Sequence, residues 1–114
     1  MNLKVLLNKH DVLCEQARNL LDEKVKNYSG SSGNVFNNFD RVAELGICSR
    51  ERGILARIAD KMGRLITHIN HRGLVGNENF KDSILDLINY LIFLYCAVTF
   101  MDSDLESSED GTDD

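Results

Sequence analysis

Residues 77–100 constrain the fold of this chain more than any other stretch. Beyond Asp82 they are apolar around most of a helical circumference, and such a helix is buried on several sides. Yet Glu78, Asp82 and Asp86 recur at four-residue steps, which stacks them on one helix face, a turn apart. Like charges on one face repel unless something positive meets them. Asp86, between Leu85 and Leu87, is the costliest to leave unpaired. No Lys or Arg follows any of the three at i+4, where Asp82, Asp86 and Tyr90 stand instead. Lys81 can pair with Glu78, three residues before it, but lies about 100° around the helix from Asp82. A solvated face is the ordinary explanation of an acidic row. The apolar setting of Asp86 and the missing bases favour a divalent cation. Mg²⁺ takes oxygen ligands, typically one or two carboxylates plus substrate phosphates.

The rest of the chain reads as helix too. None of its 114 residues is proline, the strongest interior helix breaker. A first helix is expected over about 3–27, with Leu13, Ala17, Leu20 and Lys24 in one row. Residues 28–34, rich in Gly and Ser, form the clearest loop. A short helix over 35–45 ends at Gly46 as C-terminal cap. A third, N-capped by Ser49, runs to about residue 71 along a seam of Ile54, Ile58, Met62, Leu65 and Ile69. After a turn at 72–76, Asn77 caps the fourth. The expectation is an all-α, four-helix-type bundle over residues 1–100, dimerised or further assembled through its long helices, since a chain this small gains much from added burial.

Charge divides the chain. Its net −5 is misleading, because residues 101–114 carry seven of the 18 acids and no base. The remaining 11 acids face 13 bases, so the body is near +2. The tail has the composition of a disordered segment, solubilising or interacting. No uninterrupted apolar run reaches the roughly 18 residues of a membrane span; residues 85–100 come closest, broken by Asp86 and Asn89. The first ten residues are too polar for a secretory signal. Cys14, Cys48 and Cys96 are far apart, without metal-binding spacing. They read as reduced thiols of a cytoplasmic protein, packed in its interior.

Other residues can complete a site around the acidic row. Asp40 and Glu44, four apart on the short helix, bring five acids together if that helix crosses the fourth, a set suited to one or two divalent cations. Arg57, Lys61 and Arg64 share a face of the third helix, where a salt-bridged surface and a polyphosphate grip are the competing readings. The 28–34 loop is a linker or a lid over a substrate. It is not a P-loop, since no Gly-Lys-Ser/Thr follows it. His10, His68 and His71 read as structural. Residues 58–65 also echo a helix-turn-helix with Gly63 at its turn, but the apolar seam runs in phase through Gly63, which argues against that motif and against nucleic acid as a partner.

Lys26 and Tyr28, Asn38-Phe39, Asp60-Lys61-x-x-Arg64-Leu65 and Glu78-x-x-x-Asp82-x-x-x-Asp86-Leu87-x-Asn89-Tyr90 together resemble the nucleotide modification associated domain family. That family is similar to the all-α, MazG-like and dimeric dUTPase-like nucleoside triphosphate pyrophosphohydrolases. The likeness covers about residues 20–99. It implies a Mg²⁺-binding helical bundle, with Mn²⁺ as a substitute, that cleaves a nucleotide between its α- and β-phosphates. In that reading Glu78, Asp82 and Asp86 hold metal, with Glu44 completing the set or orienting the attacking water. Lys61 and Arg64 hold the phosphates, and Tyr28 or Phe39 stacks on the base. The chain departs from the wider group in two places. Asp40 and Glu44 stand one residue further apart than the usual Glu-x-x-Glu, and Asn79 follows Glu78 where a second Glu is common. The alternative is a non-catalytic helical module that binds a nucleotide or a protein partner.

Overall fold

Four α-helices follow one another: α1 (Leu3–Tyr28), α2 (Asn37–Glu44), α3 (Arg50–Asn70) and α4 (Asn77–Thr99). The computed structural model describes residues 1–28, 34–71 and 77–100, the side chains of Tyr28 and Asn77 excepted. Residues 29–33 of the loop read as a linker or a lid, the turn at 72–76 and the acidic tail lie outside the described residues. The architecture is an all-α bundle. α4 is its centre: its largest contact is with α3, α1 packs along it, and α2 lies on α3.

Local chemistry sets the element ends. Ser49 accepts the backbone N–H of Arg52 through its Oγ at 3.2 Å and so caps α3. α2 starts two residues later than its sequence pattern predicts, because Asn34 turns the chain. Asn34 Oδ1 accepts from the Phe36 N–H at 3.0 Å, and its carbonyl accepts from the Asn37 N–H at 3.1 Å. The end of α2 is a Schellman motif. The Ile47 N–H donates to the Val42 carbonyl and the Gly46 N–H to the Ala43 carbonyl. Gly46 has φ +78°, a conformation open to glycine at no steric cost.

Phe36, Ile54 and Ala97 are buried at the centre, with Phe39, Ile58, Tyr90, Phe93 and Leu94 packed around them. Gly53 of α3 faces α2, where a Cβ would meet the Phe39 ring at 3.4 Å, in van der Waals contact. Ala17 is buried under α4, where the buried Asn89 side chain donates to its carbonyl at 3.0 Å.

α3 runs unbroken through Gly63, as its in-phase seam predicts, which leaves no helix-turn-helix there. Two expectations change. The cysteines are free as expected, but none is fully buried and Cys14 is exposed. The α3 seam divides: Ile54 is buried and Ile58 and Leu65 half-buried, whereas Met62 and Ile69 are exposed. In addition, α4 over Glu78–Thr99 is long and apolar enough to cross a bilayer by length and composition alone, despite its interrupting polar residues. Those residues, Asp86 and Asn89, bond to α1 and α3.

Candidate functional site

The positive partner that Asp86 demands comes from two other helices. Lys24 of α1 lies 3.1 Å from Asp86 Oδ1, and Lys61 of α3 lies 3.0 Å from Oδ2. The Asp86 and Lys61 side chains are only 13% and 17% exposed. Burial pushes the Asp86 carboxyl up. The hydrogen bonds and charges of Lys61 and Lys24 outweigh it and hold the carboxyl below the usual carboxylate range. Two ammonium groups meet one carboxylate, so this half-buried cluster carries a surplus positive charge. Such a cluster attracts anions.

The cluster borders a partly open cavity of about 580 Å³ lined by residues of all four helices, within the usual range for small-molecule sites. Phe39, Tyr90 and Phe93 form an aromatic wall, with ring centroids 6.0–6.5 Å apart. Asn37, Asn38 and Asn89 supply amides, and Arg57 joins Lys24 and Lys61 as a third base. Flat rings, amides and cations in one cavity can take a ligand with an aromatic body and an anionic end.

A second cleft, about 500 Å³, opens on the other side of the Lys61–Asp86 pair, between α3 and the first half of α4. Asp60, Arg64, His68, Asn79, Asp82 and Ser83 are among its lining residues. Arg64 Nε reaches Asp60 at 3.4 Å on the exposed rim, a pair worth little in water. Lys61 and Asp86 thus form the wall shared by an aromatic cavity and a cleft of charged groups.

The five-acid cluster does not form. Asp40 is engaged by Arg50 through two bonds, at 2.7 and 3.0 Å, and by Asn34 at 2.8 Å. The Arg50 hydrogen bond holds its carboxyl below the usual range against the opposing effect of burial. Arg50 also lies 4.2 Å over the Phe36 ring, so this pair staples α2 to the start of α3. Glu44 is exposed at the far end of α2 and borders neither cleft, because α2 packs on α3 and not across the acidic row. Glu78 is exposed and also borders neither. Among the described residues no three His, Cys, Asp or Glu side chains group closely enough to hold an ion. The donors left are Asp82 and Asp86, one turn apart on the wall of the second cleft. Each Asp86 oxygen keeps a lone-pair site beyond its lysine bond. Two carboxylates without a third fit a Mg²⁺ that arrives on phosphates, not an ion caged by protein alone.

Of the expected ligand contacts, Phe39 and Lys61 border the first cavity, and Lys61 and Arg64 the second. The Tyr28 side chain lies outside the described residues. Lys26 is exposed and pairs with Asp22 at 3.1 Å. Sequence reasoning missed Lys24 as an Asp86 partner, although a base closing the row of Leu13, Ala17 and Leu20 was a usable signal. His68, read as structural, is buried and stacks on Phe80 with ring centroids 4.4 Å apart.

No protein-family profile, curated protein or solved structure matches the chain.

Proposed function

We propose that this chain is a Mg²⁺-dependent nucleoside triphosphate pyrophosphohydrolase, releasing a nucleoside monophosphate and pyrophosphate. The observation that carries the reading is the placement of two lysines on one carboxylate between an aromatic cavity and a charged cleft. In this reading the base lies against Phe39 and Tyr90, and the amides of Asn37 and Asn38 address its edge. Lys24, Arg57 and Lys61 neutralise the phosphates nearest the sugar. The remaining phosphates extend into the second cleft toward Arg64, which binds phosphate oxygens in a bidentate fork. Positive groups fixed before the ligand arrives stabilise charge that spreads over phosphate oxygens in the transition state. Asp82 and Asp86 would hold Mg²⁺ there; bound, the ion supplies further neutralisation and a more acidic water.

A second reading keeps the ligand and drops the reaction. It is favoured by the two lysines that already neutralise Asp86 and the absence of a third carboxylate beside it among the described residues. The two are separated by incubating the full chain with each common ribo- and deoxyribonucleoside triphosphate in Mg²⁺. Hydrolysis predicts monophosphate and pyrophosphate in equal amounts from at least one substrate, abolished by chelation. Binding without turnover predicts a raised melting temperature and no product. Neither product nor thermal shift with any nucleotide contradicts both.

A further inference from the structure

His68 carries a cost that no packing role requires. It follows Ile54, Ile58, Lys61 and Leu65 on the packed face of α3 and is 8% exposed. Its ring stacks on Phe80 at an interplanar angle of 30°. Its Nδ1 is buried with no hydrogen-bond partner among the described residues. A phenylalanine could make the same stack without burying an unpaired polar atom. A histidine kept for its other nitrogen would carry this cost at Nδ1, and the ring lines the second cleft beside Lys61, Arg64 and Asp82.

The tautomer follows from the surroundings. A proton on Nδ1 would be a buried donor with no acceptor, so the better-satisfied form carries it on Nε2, which is not shut in the same way. That leaves an N–H donor for the cleft. Other titratable groups lining the cleft are Asp60, Lys61, Arg64, Asp82 and Asp86. Asp60 is taken by Arg64, and Asp86 by its lysines. An anionic oxygen near Arg64 completes the set.

We propose that His68 donates a hydrogen bond to an oxygen of the terminal phosphates of a nucleoside triphosphate, making the second cleft the part of the site that distinguishes tri- from monophosphates. This rests on the nucleotide reading above. His68 acts on the ligand as a binding and positioning residue.

The test is calorimetric titration, in Mg²⁺, of a nucleoside, its monophosphate and a triphosphate whose α,β bridge resists hydrolysis. They are titrated into the full wild-type chain, His68→Phe and His68→Gln, with the base chosen from the ligands that raise the wild-type melting temperature. His68→Phe should melt at or above the wild-type temperature without ligand. It should bind triphosphate about tenfold more weakly, the loss of one charge-assisted hydrogen bond, and monophosphate and nucleoside as before. His68→Gln, which retains an N–H donor, should recover part of the triphosphate affinity. Undiminished triphosphate binding by His68→Phe overturns the assignment. So does an equal loss for all three ligands with a lowered melting temperature, which marks a structural role. Wild-type chain that binds none of the ligands overturns the nucleotide reading itself, and this assignment with it.

Discussion

At the scale of single residues, Asp86 decides most. Its two lysines come from positions 62 residues before it and 25 before it in the chain. Replacing it with asparagine leaves two half-buried ammonium groups without their counter-charge. That should cost about 2–3 kcal/mol, read as a lowered urea midpoint at neutral pH. The pH dependence has a definite sign. Asp86 and Asp40 both have carboxyls held below the ordinary range when folded. Their contribution is therefore complete above the unfolded value of about 3.9 and is lost as pH falls from there through the folded values. Asp86→Asn should flatten the acid side of the stability curve relative to wild type, and urea titrations across pH 2–6 measure it. The sequence shows that Asp86 needs a positive partner, because a carboxylate between leucines on an apolar helix is costly. It does not show which one, since Mg²⁺ and a distant lysine answer the same electrostatic demand. Only the packing of α1 and α3 against α4 distinguishes them.

At the scale of elements, helix type and order were legible because apolar spacing, Ser49 and Gly46 all act locally. The face of α3 was less so. Counting Ile54, Ile58, Met62, Leu65 and Ile69 as one seam puts its centre about 40° away from the packed row Ile54, Ile58, Lys61, Leu65 and His68. Hydrophobicity chose Met62 and Ile69 over a lysine and a histidine. The fold chose the polar pair, whose charges and ring serve the site and the Phe80 stack. Gly63 gives a clean test of α3 as one helix. Nothing lies within 4 Å of a Cβ built there, so Gly63→Ala should raise stability by about 1 kcal/mol, seen as a higher melting temperature. A turn at Gly63 would make the same change neutral or damaging. Gly53→Val should do the reverse, because its added bulk meets the Phe39 ring and pushes α2 away from the aromatic wall. Reduced stability together with weakened nucleotide binding is the expected outcome.

At the scale of the whole molecule, the core is small. Ala17, Phe36, Ile54, Leu85 and Ala97 are the buried apolar residues among those described. Leu55, Met62, Ile66 and Ile69 of α3 and Leu91, Ile92, Tyr95 and Val98 of α4 are exposed. An apolar surface on both α3 and α4 is more than a small monomer carries at ease, and a second copy of the chain is the partner proposed for it. Sedimentation should give at least twice the 12.9 kDa chain mass, shifting toward monomer in Ile66→Glu or Ile92→Glu; a wild-type monomer at high concentration would contradict this. The central claim is that the Lys61–Asp86 pair joins a base-binding cavity to a phosphate-binding cleft. A crystal structure with Mn²⁺ and a triphosphate whose α,β bridge resists hydrolysis tests it most directly. The account predicts the base against Phe39 and Tyr90, phosphates between Lys61 and Arg64, and anomalous density for the ion beside Asp82 or Asp86. A nucleotide seated elsewhere, or an ion held without either of these carboxylates, would contradict it.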